Sequence, residues 1–318
     1  MALVGVLYRR PNVTRSNGIR TLTEAQVASS GNAAHWTPPV GPLGELTADS
    51  ARRAAVSAAG AEELERKVAG MAPPPSFRAA LAGTISHGNT ASAPAGSAAA
   101  NVAVIAEVKR RSPSKGAINE GIDAISRSRE YVAGGAVALS ILTEPGRFGG
   151  SLGDLRAARL GANNVPLLRK DFITHRVQLL EAREAGAAAV LLIARALPPS
   201  LLAELAREAR ALALDVLVEI RDEAELARAV DVPGAVIGVN NRDLETLIIA
   251  PEVGARMIPL VPRDRVAVYE SGVGSVGDVE RAAALGADAV LVGSVLSGAA
   301  DPSAMVRSLA SVPRLGRG

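Results

Sequence analysis

The chain has 318 residues, 48% of them hydrophobic and 21% charged, which is typical of one large or two ordinary globular domains. The absence of cysteine excludes disulfides, thiolate metal sites and a cysteine nucleophile. The net charge of +3 is scattered, aromatic residues make up only 2%, and no apolar run is long enough to span a membrane. We therefore expect neither nucleic-acid nor membrane binding, and the absence of cysteine and of a secretory signal favours a cytoplasmic location.

Before residue 102 the chain divides into a tail, a helical segment and a linker. Residues 1–48 show no sustained periodicity and predict a flexible extension, in which Trp36 is interpreted as a chance aromatic residue. Residues 49–101 form the second part, with a helical pattern over Asp49–Ala72 and a shorter one over Ser76–Ala82. The rest of this part is rich in Gly, Ala and Ser and predicts a linker.

From residue 102 to residue 318, apolar strand-like runs alternate with amphipathic helix-like runs. Successive strand candidates are roughly 20–35 residues apart, as βα units require. The candidates are Val102–Val108, Ala136–Leu142, Val165–Arg169, Ala188–Ile193, Val216–Ile220, Ala235–Val239, Arg265–Tyr269 and Asp288–Val292. Helix-like runs between them include Val177–Glu184, Ser200–Ala213, Glu223–Val230 and Val276–Leu285. The pattern predicts an α/β protein, a (β/α)₈ TIM barrel, with a doubly wound open sheet as the structural alternative.

The stretch Ala103–Gly116 joins the apolar run AVIAEV to a polar turn that contains Pro and Gly. Glu107 and Lys109 are two residues apart, so on a strand both side chains point to the same face, into the end of a barrel. A buried carboxylate beside a buried ammonium is costly unless the pair has a use or a partner. A plain ion pair at a strand end is the alternative interpretation.

Lysine is rare in this chain. Of 35 basic residues only four are lysine, namely Lys67, Lys109, Lys115 and Lys170, and biased codon usage is a simple explanation. Arginine does not release a proton near neutral pH, whereas a buried lysine does. Because Lys109 and Lys170 lie at the ends of predicted strands, they are candidates for general acids.

In a (β/α)₈ barrel the carboxyl ends of the strands meet at one mouth, where active sites form. The two lysines converge there with carboxylates such as Glu107 and Glu219. Opposed charges should keep the carboxylates ionised, and crowding of the two ammoniums should ease their deprotonation. This favours an acid–base site over a metal cage, because the lysines compete with a metal ion for the carboxylates.

The loops after the seventh and eighth predicted strands differ from the charged strand ends, because they consist mainly of glycine and serine. Ser271–Gly274 and Gly293–Ser294 offer bare backbone N–H groups and hydroxyls, which form a phosphate site at these positions of a barrel. The alternative is that the glycines only make tight turns.

Several segments together resemble one enzyme family in order and spacing over about residues 49–310: IAEVKRRSPSKG, ILTEPGRFGGSLGDL, LLRKDF, VEI, GVNNRDLETL, ESGV and VGS. They are similar to indole-3-glycerol-phosphate synthases, which convert 1-(2-carboxyphenylamino)-1-deoxyribulose 5-phosphate to indole-3-glycerol phosphate, CO₂ and water in tryptophan biosynthesis. The resemblance implies a carbon–carbon lyase with a phosphorylated small-molecule substrate and no cofactor or metal. It also implies a helical segment over the barrel mouth, and other tryptophan-pathway enzymes as candidate partners.

The resemblance also implies site residues. It makes Lys170 and Lys109 the catalytic acids, Glu219 the base, and Glu107 the carboxylate that orients the lysines. The implied substrate-binding residues are Ser112, Phe148, Phe172, Leu191, Asn240 and Arg242, and the implied phosphate-binding residues are Ser271, Gly272, Gly293 and Ser294. Tyr269 departs from the family pattern, since a small residue is usual there, and is expected to crowd its strand or to tilt the seventh loop. Another phosphate-binding barrel, such as phosphoribosylanthranilate isomerase, and a non-catalytic scaffold are the alternatives.

Overall fold

The computed structural model describes residues 36–83, 101–114 and 116–317, so Lys115 and His35 lie outside the described residues. Eight parallel strands close into a barrel, in which the first strand pairs with both the second and the last. The strands are β1 (Ala103–Val108), β2 (Ala138–Leu142), β3 (Leu167–Lys170), β4 (Ala189–Ile193), β5 (Asp215–Ile220), β6 (Val236–Asn240), β7 (Ala267–Glu270) and β8 (Ala289–Val292). The predicted (β/α)₈ barrel is confirmed, and the open-sheet alternative is wrong.

The strands form because their apolar runs are buried on both faces, inside against the barrel core and outside against the helices. All six residues of β1 are buried, for example. The register places Glu219 beside Gly238 and Asn240 beside Glu270 on neighbouring strands. Polar residues from separate strand ends thereby reach the same level of the barrel.

Helices alternate with the strands and pack around them. Three helices precede the barrel and form an N-terminal layer, namely α1 (Gly41–Ser57), α2 (Ala61–Ala69) and α3 (Phe77–Leu81). The helices of the barrel are α4 (Ala124–Ala133), α5 (Leu152–Gly161), α6 (Arg176–Glu184), α7 (Pro199–Ala211), α8 (Glu223–Val230), α9 (Pro251–Met257), α10 (Val276–Ala284), α11 (Ser294–Ser297) and α12 (Pro302–Leu309). Several begin at a side-chain cap, as where Asp222 accepts from the backbone N–H of Glu225. Over the described parts of the chain, no helix combines the length and apolarity needed to cross a membrane.

The N-terminal layer consists of α1 (Gly41–Ser57), a 3₁₀ turn, α2 (Ala61–Ala69) and α3 (Phe77–Leu81). Helix α1 begins at Gly41 rather than at the predicted Asp49, with Pro42 in its first turn, where proline is favoured. Leu43 in this turn is buried at 1% exposure, so the described part of the predicted extension is packed against the protein.

Trp36 also departs from its interpretation as a chance aromatic. Its indole Nε1 donates a hydrogen bond to the carbonyl oxygen of Arg195 at 3.1 Å, and the Arg195 guanidinium donates to the carbonyl oxygen of Thr37 at 2.6 Å. The chain is thus attached to the barrel from residue 36 onward. Residues 1–35 of the predicted extension and residues 84–100 of the predicted linker lie outside the described residues.

Candidate active site

A cavity of about 460 Å³ opens at the carboxyl ends of the barrel strands. Every site residue predicted above lines it: Glu107, Lys109, Ser112, Phe148, Lys170, Phe172, Leu191, Glu219, Asn240, Arg242, Ser271, Gly272, Gly293 and Ser294. Residues to which the sequence analysis assigned no role complete its wall, among them Leu46, Leu142, Asp171, Ile193, Leu244, Leu247, Ile249 and Glu270. Leu46 belongs to α1, so the N-terminal layer does reach the barrel mouth.

The two charged residues at the end of β1 form an ion pair. The Glu107 Oε1 atom lies 2.8 Å from the Lys109 Nζ atom, and Ser140 donates to Glu107 Oε2 at 3.3 Å. Burial by itself raises the pKa of Glu107, but the ammoniums of Lys109 and Lys170 outweigh it and hold this pKa below its usual range. Glu107 is therefore a buried, ionised carboxylate.

Lys170 lies between two carboxylates. Its Nζ atom is 3.1 Å from Glu219 Oε2 and 3.3 Å from Glu270 Oε2. Burial lowers the pKa of Lys170, but the carboxylates of Glu219, Glu270 and Glu107 outweigh it, so its pKa is raised. The expectation that crowded ammoniums would ease deprotonation is wrong for this lysine, because its contacts are carboxylates rather than the other ammonium.

Glu270 directly follows the predicted strand Arg265–Tyr269, and the sequence alone assigns it no role. It is buried at 1% exposure, and burial raises its pKa to about 8, even though Lys170 opposes the shift. Its Oε1 atom has no hydrogen-bond partner among the described residues. A Cβ atom at Gly238 would lie 2.1 Å from this oxygen, so the glycine makes the room for the carboxylate.

The raised pKa makes Glu270 easier to protonate than an ordinary glutamate. The same cavity is lined by Lys109, Lys170, Glu107 and Glu219. Within the described residues, no group of three or more His, Cys, Asp or Glu side chains is placed to hold a metal ion. Three carboxyl groups and two ammoniums in one cavity form a cluster suited to proton transfer.

A chain of hydrogen bonds links the proposed base to the loop after β7. Asn240 donates from Nδ2 to Glu219 Oε1 at 2.8 Å, and its Oδ1 atom accepts from Ser271 Oγ at 2.8 Å and from the Arg242 backbone N–H at 2.9 Å. Ser271 has a φ of +65°, which is unusual for a residue other than glycine. Asn241 helps to hold it there, donating from Nδ2 to the Ser271 carbonyl oxygen at 3.1 Å.

One wall of the cavity is apolar. The rings of Phe148 and Phe172 lie 6.2 Å apart between centroids and are inclined at 39°, a favourable aromatic pair. Leu46, Leu191 and Ile193 extend this wall. An aromatic ring of a ligand has a matching surface here.

The loops after β7 and β8 form the opposite side. Gly272 has a φ of +84°, which favours glycine, and a Cβ atom there would meet only Ile249, at 3.5 Å. Gly293 is different, since a Cβ atom there would lie 2.4 Å from Glu107 Oε1 and 2.8 Å from Lys109 Nζ. Gly293 therefore serves the ion pair of β1 as well as the loop.

Comparison with known proteins places the chain in a family. Residues 63–309 match the family model described as indole-3-glycerol phosphate synthase. The chain belongs to the indole-3-glycerol phosphate synthase family. The resemblance seen in the sequence is thereby confirmed.

Relatives with the name indole-3-glycerol phosphate synthase span most of the barrel. The protein from Nocardioides sp. is 52% identical over 214 residues, which cover 67% of this chain and 82% of the relative. The protein from Opitutus terrae is 47% identical over 209 residues, which cover 64% of this chain and 79% of the relative. Among solved structures, 3-hexulose-6-phosphate synthase from Salmonella typhimurium is 18% identical with a TM-score of 0.54, covering 66% of this chain and 97% of its own, and it shares the fold alone.

Tyr269, the departure from the family pattern, is accommodated on the outside of β7. A Cβ atom at Gly254 would lie 2.3 Å from Tyr269 Cε2, so the tyrosine ring occupies the space that a side chain on α9 would need. Gly254 also donates its backbone N–H to Asn241 Oδ1 at 2.8 Å. The expected crowding of the strand is relieved by Gly254 on α9, which leaves room for the tyrosine ring.

Proposed function

We propose that this chain catalyses the reaction of its family, the ring closure of 1-(2-carboxyphenylamino)-1-deoxyribulose 5-phosphate to indole-3-glycerol phosphate with loss of CO₂ and water. The observation that carries the proposal is the position of Lys170. Its ammonium is held between Glu219 and Glu270 in a cavity that has an apolar wall on one side and glycine-rich loops on the other. A substrate with an aryl ring at one end and a phosphate at the other matches this division.

The phosphate is assigned to the loops after β7 and β8, where Ser271, Gly272, Gly293 and Ser294 line the cavity. These residues offer small side chains and backbone N–H groups, which bind phosphate oxygens without adding bulk. The aryl ring then lies against Phe148 and Phe172, and the linear chain between ring and phosphate crosses the charged cluster.

Ring closure begins at the substrate's ketone, which must become electrophilic. Lys170 donates a proton to the ketone oxygen while the aryl carbon that bears the carboxylate attacks the carbonyl carbon. The new carbon–carbon bond removes the aromaticity of the ring, and loss of CO₂ leaves its electron pair in the ring system. Apolar side chains around the reacting carbons exclude water and strengthen the charge interactions.

Dehydration completes the indole. Lys109 donates a proton to the departing hydroxyl, so that water leaves, and Glu219 takes a proton from the methylene carbon next to the nitrogen, which forms the carbon–carbon double bond of the indole. Glu107 pairs with Lys109 at 2.8 Å and holds its ammonium in place for this step. Asn240 fixes the Glu219 carboxylate by the hydrogen bond at 2.8 Å. Arg242 and Ser112 are proposed to bind the substrate's carboxylate and hydroxyl groups.

The test is a fluorescence assay of indole-3-glycerol phosphate formation from the carboxyphenylamino substrate, with purified full-length protein. We expect product with the wild type and none above background with the double variant Lys109→Met/Lys170→Met. Absence of product with folded wild-type protein would contradict the proposal. Turnover of phosphoribosylanthranilate in a parallel assay would favour the isomerase alternative instead. Association with other tryptophan-pathway enzymes and a cytoplasmic location stay predictions.

A further inference from the structure

Helix α1 precedes residues 63–309, the part of the chain that the family model matches, yet it contacts the loop that carries the proposed acid. We propose that Arg53 of α1 is a positioning residue for Lys170, acting through Asp171. This inference rests on the proposed function, because it concerns the acid of that reaction. According to this inference, the N-terminal layer covers the barrel mouth and also affects the rate of catalysis, because it holds the loop after β3 in place.

Asp171 directly follows Lys170, and its carboxylate is a hub of hydrogen bonds. Oδ1 accepts from Arg53 Nη2 at 3.0 Å and from the Phe172 backbone N–H at 2.9 Å. Oδ2 accepts from Thr143 Oγ1 at 2.7 Å and from Arg169 Nη2 at 3.1 Å. The side chain is only 1% exposed, so its position depends on these donors rather than on water.

Arg53 also faces a second carboxylate, because its Nη1 atom lies 3.9 Å from Glu144 Oε1. Glu144 organises the loop between β2 and α5 by accepting from three consecutive backbone N–H groups, those of Gly146, Arg147 and Phe148, at 2.7, 2.7 and 2.9 Å. One guanidinium thus lies between the loop with Phe148 and the loop with Lys170 and Phe172. These three side chains line the cavity.

Helix α1 holds the far end of the loop after β3 as well. Gln178 donates from Nε2 to Ser50 Oγ at 2.8 Å, and its Oε1 atom accepts from the backbone N–H groups of Thr174 and His175 at 2.9 and 3.1 Å. Ser50 is completely buried. The loop from Asp171 to His175 is therefore connected to α1 at both ends, by a salt bridge at one and by hydrogen bonds at the other.

The consequence for Lys170 follows from its geometry. The ammonium must stay within about 3 Å of two carboxylates and reach the ketone oxygen of the substrate, and a misplacement of about 1 Å costs on the order of 10²-fold in rate. Without Arg53, the Asp171 carboxylate keeps one cationic donor among the described residues, Arg169, which lies on the same strand as Lys170. The salt bridge between Asp171 and α1 would be lost.

The chain offers a matched control for the test, because Arg52 is the neighbouring arginine on the same helix. Its side chain is 70% exposed and pairs with Asp49 within α1, away from the cavity. We expect Arg53→Met to lower kcat on the order of 10–100-fold, the range set by small displacements of reacting groups. Arg52→Met should keep the wild-type kcat. The inhibition constant of inorganic phosphate should be unchanged in both variants, because the phosphate loops lie on the other side of the cavity.

If Arg53 only stabilised the fold, its substitution would change other measured quantities. It would lower the Tm of Arg53→Met and leave the kcat of the folded protein unchanged, which would overturn the inference. The double variant Arg53→Met/Asp171→Asn provides a second measurement, since coupled residues show non-additive effects. We expect the double variant to be little slower than Asp171→Asn alone, and strictly additive losses would also overturn the inference. If Arg53→Met does not fold, Arg53→Gln takes its place with the same expectations.

Failure of this inference is distinguishable from failure of the proposed function. A wild-type protein that forms no product contradicts the function. An active wild type with an equally active Arg53→Met contradicts only the positioning role.

Discussion

Both ends of the barrel contain buried acidic side chains, but these side chains differ in the hydrogen bonds that they accept. At the amino end, Asp288 is 3% exposed and both of its oxygens are satisfied: Oδ2 accepts from the Ala267 backbone N–H and from Arg317 Nη1, both at 2.7 Å, and Oδ1 accepts from Arg314. At the carboxyl end, Glu270 is 1% exposed, and its Oε1 atom lacks any partner in the described parts of the chain. Asp288 thus has donors for both oxygens, whereas Glu270 has an unpaired oxygen at the face of this fold where active sites form.

The unpaired oxygen of Glu270, at the carboxyl end of the barrel, has an energetic cost that the fully hydrogen-bonded Asp288 at the amino end avoids. A buried carboxylate without enough donors is easier to protonate, and burial accordingly raises the pKa of Glu270 to about 8. The room for this group comes from Gly238, and the opposing charge comes from Lys170. Polar groups left unpaired in a native interior call for an explanation, and the proposed proton transfer provides one.

The strongest test of the comparison is Lys170. Lys170→Met should lower kcat on the order of 10²–10⁴-fold, the usual value of a general acid. Lys170→Arg should lose nearly as much, because arginine keeps the charge but does not release the proton. Lys67→Met is the control, since Lys67 is exposed and pairs with Glu63 within α2. If arginine at position 170 restored most of the activity, Lys170 would bind the substrate electrostatically and Lys109 would be the acid.

A substitution at Asp288, at the amino end of the barrel, should lower the free energy of unfolding rather than kcat. Asp288→Asn leaves the buried Arg317 guanidinium, 6% exposed, without its carboxylate, and removing one partner of a buried pair costs about 3 kcal/mol. We expect the free energy of unfolding in urea to fall by this amount, with the kcat of the folded protein unchanged. Asp264→Asn is the matched control, because Asp264 is 73% exposed and lies 3.8 Å from its arginine. A loss of kcat in Asp288→Asn would remove the distinction between the two ends.

Gly293→Ala should affect the rate. Its Cβ atom would displace Glu107 and Lys109, at 2.4 and 2.8 Å, so kcat should fall on the order of 10²-fold, the effect of a misplaced catalytic group. Gly272→Ala, whose Cβ would meet only Ile249 at 3.5 Å, should instead raise KM through strain in the phosphate loop. Steady-state kinetics of both variants would separate these effects. An unchanged kcat in Gly293→Ala would show that the ion pair tolerates displacement.

The smallest expected effect is a pH dependence. As pH rises through about 8, Glu270 loses its proton, and the added negative charge beside Lys170 makes that lysine a weaker acid. The rate should therefore decline above pH 8 in the wild type. Glu270→Gln mimics the protonated carboxyl, so its kcat should stay level over the same range. A decline that is equal in both proteins would assign it to another group.

The proton on Glu270 also stabilises the folded protein, and this contribution decreases as pH rises. The pKa of Glu270 rises from 4.5 to about 8 on folding, so between these values the folded protein keeps a proton that the unfolded chain releases. This contribution is fully present below pH 4.5 and is lost as pH rises through about 8. Urea unfolding at pH 6 and pH 9 should show a larger decrease for the wild type than for Glu270→Gln.

Much of the fold and of the site could be predicted from short stretches of the sequence. Strands buried on both faces appear as continuous apolar runs, so the eight strands could be located within about two residues at each start. Because the strands are parallel and closed into a barrel, residues at their carboxyl ends must meet at one mouth. Lys109, Lys170 and Glu219 could therefore be grouped before any distance was known.

The sequence alone did not locate the start of α1 or the role of Glu270. Prolines and glycines before Asp49 interrupt the helical pattern, whereas α1 is stabilised by contacts with residues far along the chain, such as Glu245, which accepts from the Val40 N–H at 2.8 Å. The state of Glu270 depends on Gly238 and Lys170, which lie on other strands. Residue types and their spacing are local properties, and they determined which groups meet. Distances, burial and protonation depend on packing between residues that are far apart in sequence, so only the tertiary structure decided them.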